Sequence, residues 1–521
     1  MQVEHFLEAS ARRTPGKLAL VCGGRRLTYA EVDAEANRVA NRLRALGVVR
    51  GDRVAVWADN SVEAVVSIFA ILKAGAVFLV VNPTVKAAKL AYILNNCRAS
   101  ALIADRRKRA TLGELAAELP HLRAIVFTGS GDESVESGKR VAWFDQAGPA
   151  EPPPPSGCID IDLAALIYTS GSTGQPKGVM MTHLNIASAA TSITTYLENT
   201  ADDVILNVLP LSFDYGLYQM LMAFKVGGTL VLERSFAYPA ATLELIPAER
   251  VTGLPLVPTM AAILLQMDLS GYDLSSLRYV SNTGAALATT HITELRTRLP
   301  HVRIFSMYGL TECKRVSYLP PDQIDVRPTS VGRGMPNEEV YLVDESGQRV
   351  EHGVGELVIR GSNVMKGYWE LPEETERVLR PGPLPGERVL YSGDMFRRDE
   401  EGYLYFIGRK DDIIKSRGEK VSPREVENVL YAHPAIAEAA VVGVPDPILG
   451  QAIKAVVTLK RGASLEAHDL LRHCSQRLED FMVPRLVEFR AEMPKTSSGK
   501  IDKKSLHLPL EQGTLAAPSV L

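Results

Sequence analysis

Residues 164–178 read AALIYTSGSTGQPKG, an apolar run of strand length that passes directly into Gly, Ser and Thr and ends at Lys177-Gly178. The composition predicts a strand running into a glycine-rich turn. Such a turn lets backbone N–H groups approach phosphate oxygens closely, its hydroxyls add donors and Lys177 adds charge, so the segment reads as a phosphate cradle. It is not the loop of the P-loop NTPases, which requires Ser or Thr after the lysine; here Gly178 follows.

On both sides of this segment the chain alternates amphipathic helical patterns with short apolar strands. YAEVDAEANRVANRLRALG (29–47) has helical spacing with a charged, solvated face, while DRVAVWA (52–58) and AVFLVV (76–81) read as strands. VILNVL (204–209) and TLVLE (229–233) continue the alternation. EPPPPSG (151–157) is a stiff break that marks either a subdomain boundary or a connecting loop. After about Val331 the texture changes to short strands and Gly turns, and a last unit opens near IGRKDDIIKSRGEKVSP (407–423). The expected fold is α/β: a large N-terminal domain of stacked β-sheets with helices plus a β-rich subdomain, residues 1–410. A small mobile α+β C-terminal domain, residues 411–521, follows it, and 507–521 read as a frayed tail.

The 521 residues are 46% hydrophobic and 23% charged with a formal charge of -3, a globular composition without the basic bias of a nucleic-acid binder. Five scattered cysteines without CxxC spacing argue against a disulfide framework or a zinc site and fit a reducing compartment, so the cytoplasm is expected. The ten histidines form no HxxxH or HxH pair, no GxSxG elbow occurs, and no apolar run reaches the roughly 18 residues of a membrane span.

Four further motifs follow the cradle in order: YGLTE (308–312), YSGD (391–394), GRKDDIIKSRGEKVSPREVE (408–427) and PKTSSGKI (494–501). With them the chain resembles the adenylate-forming superfamily of acyl-CoA synthetases, luciferases and nonribosomal peptide synthetase adenylation domains. The resemblance spans nearly the whole chain and implies an AMP-forming acid–thiol ligase using ATP and Mg²⁺. It implies that Thr169, Ser170, Gly171, Ser172, Thr173, Gly174 and Lys177 cover the β- and γ-phosphates. Tyr308 would belong to the nucleotide site, Thr311 would contact phosphate, Glu312 would hold Mg²⁺, Asp394 would accept from the ribose hydroxyls and Arg409 would support ribose or phosphate. Lys500 would bridge the carboxylate and the α-phosphate. Asp411 would be a hinge whose swing withdraws Lys500 and brings in the loop of Lys415, Arg417 and Gly418, opening a tunnel for a phosphopantetheine thiol.

LPLSFDYGLYQ (209–219) places one carboxylate, Asp214, in a mostly apolar run, where it needs a cationic partner. The Phe213-Asp214 pair resembles amino-acid-activating adenylation domains, which implies a substrate ammonium at Asp214. Gly284 would join Tyr215, Tyr218, Pro255, Ser281, Thr283, Met307 and Arg315 around the acyl group. Arg315 is the rival partner for Asp214, or the receiver of a distal anionic group. The expected reaction is activation of an amino acid and its delivery to the phosphopantetheine of an acyl or peptidyl carrier protein, with transfer of a non-amino acid to CoA as the alternative.

Overall fold

The computed structural model describes residues 1–132, 134–136, 138–146, 148–170, 176–410, 412–416, 419–446, 450–496, 500–506 and 515–516. Within these residues the strands assemble into four sheets. One carries Val204–Asn207, Gly253–Leu256, Tyr279–Asn282 and Arg303–Tyr308 as successive parallel neighbours. Their side chains are almost all buried, as expected of strands packed on both faces. Parallel alignment brings their C-terminal ends to one edge, the usual position for ligands in an α/β sheet. The segments leaving that edge are 208–214, 283–284 and 309–315.

A second sheet holds the strand Leu163–Ser170, paired antiparallel with Pro176–Thr182 and parallel with Val77–Val80. The strand Lys139–Trp143 before the Pro-rich break belongs to this same sheet, so the break is a connecting loop and not a subdomain boundary. Arg44 and Asn41 hold it by donating to the carbonyls of Pro154, Pro149 and Glu151. The strand expected at the cradle is present, as are Arg53–Trp57, Val77–Val80 and the helix Tyr29–Ala45, whose Thr28 and Glu31 form a capping box.

The third sheet is the β-rich unit, running from Glu338 to Arg409. The fourth is built from Ile414 onward and encloses its own core, including Val426, Leu430, Val441, Ile453 and Leu470. The chain thus has an α/β large domain with a β-rich subdomain and a small α+β C-terminal domain. The frayed-tail expectation fails at two residues: Leu515 and Ala516 pair with Val487 and Leu486 and extend the fourth sheet.

The helix Asp214–Val226 is buried along nearly its whole length, from Tyr215 to Phe224. Its start is fixed from outside. Asn60 accepts from Leu211 N and donates to Leu209 O, while Asn207 accepts from Leu209 N and donates to Gly216 O. Gly216 has no alternative here, because a Cβ would lie 2.4 Å from Pro210 O. These contacts hold Phe213 and Asp214 at the sheet edge.

Candidate active site

The cradle strands set Thr169 opposite Lys177. Gly171, Ser172, Thr173 and Gly174 lie outside the described residues, as does the side chain of Ser170. Lys177 Nζ donates to Glu374 Oε2 at 2.6 Å and sits 5.4 Å from the Tyr368 ring centroid. The ammonium holds the Glu374 carboxyl below its ordinary range. Tyr368 Oη in turn donates to Glu312 Oε1 at 2.7 Å. Glu374 and Tyr368 were not anticipated from the sequence; GYWELPEETE (367–376) shows only an acidic helix start, and no spacing rule connects it to a lysine 197 positions earlier.

At the expected nucleotide end, Asp394 and Arg409 are register partners on adjacent strands. Arg409 Nε donates to Asp394 Oδ1 at 3.1 Å and Tyr308 Oη donates to Oδ2 at 2.5 Å. Phe396 meets the Tyr308 ring edge-on and Phe406 stacks on it. Burial raises the Asp394 carboxyl above its ordinary value, opposed by the Arg409 charge. Each carboxylate oxygen keeps a second lone-pair site, so two further donors can be accepted without breaking either bond.

At the expected acyl end, a cavity of about 270 Å³ is lined by Thr169, Phe213, Asp214, Thr311 and Lys500, among others. Lys500 reaches it from the small domain. A bridge between Lys495 and Ile501 and the bond from Thr496 N to Lys500 O fold its loop back, and Lys495 is tied to Glu438 at 3.0 Å. Lys500 Nζ sits 5.8 Å from the Phe213 ring centroid. Its side chain keeps solvent access, yet the surrounding protein lowers its pKa by desolvation, opposed first by the charge of Asp214. Gly284 sits against both: its φ is +87°, and a Cβ would lie 3.3 Å from Lys500 Cε and 3.5 Å from Phe213 Cζ.

Asp214 occupies the first turn of its helix, where the dipole favours a carboxylate. Its charge acts on Lys500 and Lys314 among the described residues. Lys314 was missed in the sequence. It is fully buried, held at φ +76°, and donates to Thr311 O at 2.8 Å. Burial lowers its pKa to about 8, against the pull of Asp214 and Glu312. Arg315 instead stacks on Tyr215, with Cζ 4.5 Å from the ring centroid, and its Nε and Nη2 are buried without a hydrogen-bond partner among the described residues.

The rest of the expected acyl lining does not line this cavity. Tyr215 Oη donates to Ser281 O at 2.7 Å, and Ser281 pairs in register with Pro255. Tyr218, Thr283 and Met307 are buried, and Met307 Sδ accepts from Tyr196 Oη at 2.9 Å. Asp411, Arg417 and Gly418 lie outside the described residues, and Lys415 is described only in its backbone, in the strand Ile414–Ser416.

Residues 7–369 match the AMP-binding enzyme model, and residues 425–500 match the AMP-binding enzyme C-terminal domain. The chain belongs to the AMP-binding enzyme family. This AMP-binding enzyme is 32% identical to the long-chain-fatty-acid–CoA ligase of Bacillus subtilis, with 97% of this chain and 94% of that protein covered. It is 36% identical to the feruloyl-CoA synthase of an Amycolatopsis species, over 95% and 96%. Its fold matches the crystal structure of the anthranilate CoA ligase AuaEII in complex with anthranoyl-AMP with a TM-score of 0.88, at 31% identity over 97% and 96% of the two chains. The AMP-binding enzyme described here is accordingly an AMP-forming acid–thiol ligase that uses ATP. These relatives carry CoA in their names, so they favour the CoA alternative over delivery of an amino acid to a carrier protein. No helix among the described residues is long and apolar enough to cross a membrane.

Proposed function

We propose that the protein is an acyl-CoA ligase: it adenylates a carboxylic acid with ATP and transfers the acyl group to the thiol of CoA, in the cytoplasm where both are supplied. The observation that carries the reading is the entry of Lys500, from the small domain, into the cavity that Thr311, Asp214 and Phe213 form in the large one. A carboxylate oxygen attacks the α-phosphorus, the bond to the β-phosphate oxygen breaks, and pyrophosphate leaves. Lys500 donates to the carboxylate and the α-phosphate together, orienting both and meeting the charge that builds between them. Thr169, the cradle and Lys177 hold the departing phosphates, with Lys177 exchanging Glu374 for phosphate. Asp394 accepts from the ribose hydroxyls, flanked by Tyr308 and Arg409.

The Glu312 carboxylate fits a Mg²⁺ ion: Tyr368 occupies Oε1, Oε2 has no hydrogen bond among the described residues, and such an ion takes one or two carboxylates beside waters and phosphate oxygens. Bound there, it would neutralise phosphate charge.

The thiol sulfur then attacks the acyl carbon, its proton passes to solvent, and the bond to AMP breaks. For this step we assign the boundary between residues 1–410 and 411–521 as the line of movement, with Asp411 the hinge, Lys415 entering as Lys500 leaves, and Gly418 leaving room for the thiol arm. The third sheet ends at Arg409 and the fourth begins with Ile414, which supports the division. In the present arrangement the two domains enclose a cleft of about 870 Å³ bordered by Leu287, Lys410, Ile413 and Arg424.

The test is acid-dependent exchange of pyrophosphate into ATP over a panel of acids, followed by competition between CoA and a holo carrier protein. The reading requires acid-dependent exchange and a CoA thioester. Exclusive loading of the carrier would overturn the choice of acceptor, and absence of exchange with every acid would overturn the reaction.

A further inference from the structure

Around Phe213, Tyr215 and Tyr218 the protein places three cations, Lys500, Arg315 and Lys314. Lys314 and Lys500 both act on Asp214, so this carboxylate already has cations within the chain. A substrate ammonium placed there would meet two like charges. Arg315 is left over. It is only 2% exposed, and no hydrogen-bond partner for its Nε or Nη2 exists among the described residues. Its contact with the face of Tyr215 offsets part of the burial cost but satisfies neither donor. The hydroxyl of Tyr218, a ring 5.8 Å from Lys314 Nζ, is likewise buried and unpaired among the described residues.

A buried guanidinium with two open donors costs stability unless something arrives to accept them. The route from the reacting centre is short. Lys500 faces the Phe213 ring, Phe213 meets Tyr215 edge-on with centroids 6.2 Å apart, and Arg315 lies on Tyr215. Nearby, Tyr196 stacks on Tyr318 and donates to the flexible thioether of Met307.

We propose that the acid activated by this enzyme carries a second anionic group, a carboxylate or its equivalent, and that Arg315 and the Tyr218 hydroxyl receive it after the Phe213 ring moves aside. This rests on the ligase reading above and names the substrate class of the same site. Nε and Nη2 of one guanidinium form the planar fork that a carboxylate accepts with both oxygens. The reacting carboxylate goes to Lys500 and the second to Arg315, so the substrate is a dicarboxylic acid or an acid with a comparable distal anion, without an α-ammonium.

The experiment measures acid-dependent pyrophosphate exchange by the full-length enzyme with saturated straight-chain monocarboxylic acids, the dicarboxylic acids of matching length, and the corresponding half-amides. One or more dicarboxylic acids should exceed both its monocarboxylic match and its half-amide in kcat/KM by roughly 10- to 100-fold, the range for charge-assisted hydrogen bonds. The advantage should sit mainly in KM. Arg315→Met should erase it and Arg315→Lys should keep part of it, with AMP binding by Arg315→Met matching that of the wild type. Exchange with monocarboxylic acids as good as or better than with every dicarboxylic acid would overturn the proposal and leave the ligase reading standing, and needs no variant. A preference retained by Arg315→Met would overturn the role of Arg315. Exchange with none of the acids would overturn the ligase reading and this inference together.

Discussion

Lys177 Nζ donates to Glu374 Oε2 at 2.6 Å, so the lysine of the phosphate cradle is engaged by a carboxylate of the large domain itself. Glu374 thereby occupies the cation that the proposed function gives to phosphate. Glu374→Gln should lower the KM for ATP by roughly two- to fivefold, the range of a partly exposed ion pair, measured by pyrophosphate exchange at fixed acid. A rise in KM would mean that Glu374 positions Lys177 for ATP instead of competing for it. The Glu374 carboxyl is held below its ordinary value, so the pair adds stability above that value and loses it as the pH falls through the folded value.

Asp394 behaves oppositely, because burial raises its carboxyl. A carboxylate whose folded pKa exceeds its unfolded one costs stability as the pH rises through the interval between the two. Asp394→Asn is spared that cost, and Arg409, whose side chain is 60% exposed, retains water as a partner. The variant should melt at or above the wild-type temperature at pH 7 while its KM for ATP rises by about tenfold or more. A large drop in melting temperature would contradict the assignment of Asp394 to ligand binding over scaffold.

Lys314 supplies a pH signature. Its folded pKa of about 8 lies below the ordinary 10.5, so the unfolded chain binds the extra proton between those values and stability rises with pH across that window. Lys314→Met should lose this rise and melt higher than the wild type at pH 7. The same variant leaves Asp214 with one cation fewer, so adenylation should fall. Superimposable pH–stability curves for the two proteins in this window would contradict the buried ammonium.

Much of this was legible in the sequence. The cradle strand follows from its apolar run, whereas the gathering of Tyr308, Glu312, Asp394, Arg409 and Lys500 was implied only by the family resemblance, and the register of Asp394 with Arg409 came from the structure. Asp214 was recognised as needing a cation, but the identity of that cation was not recoverable. Lys314 lies one position before Arg315, in a tight turn that holds a non-glycine residue at positive φ and sends Lys314 to Thr311 O and Arg315 to the Tyr215 ring. Gly309 permits that turn, since a Cβ there would lie 1.9 Å from Lys314 O. The pair of Lys177 with Glu374 was hidden for a different reason: it arises because Gly367–Tyr368 docks on the edge of the cradle sheet, a tertiary contact without local periodicity.

Lys500→Ala should lower acid-dependent pyrophosphate exchange by roughly 100- to 1,000-fold, as expected for removal of one donor from the charge-developing centre. Its capacity to convert a supplied acyl-adenylate and CoA to the thioester should change far less. Equal losses in both half-reactions would contradict the withdrawal of Lys500 between them.

The most direct measurement is the product balance when the enzyme is incubated with ATP, Mg²⁺, CoA and its best acid. Equal amounts of AMP, pyrophosphate and acyl-CoA are predicted, with none formed when the acid is omitted. ADP and phosphate in their place, or AMP released at the same rate without acid, would contradict the account.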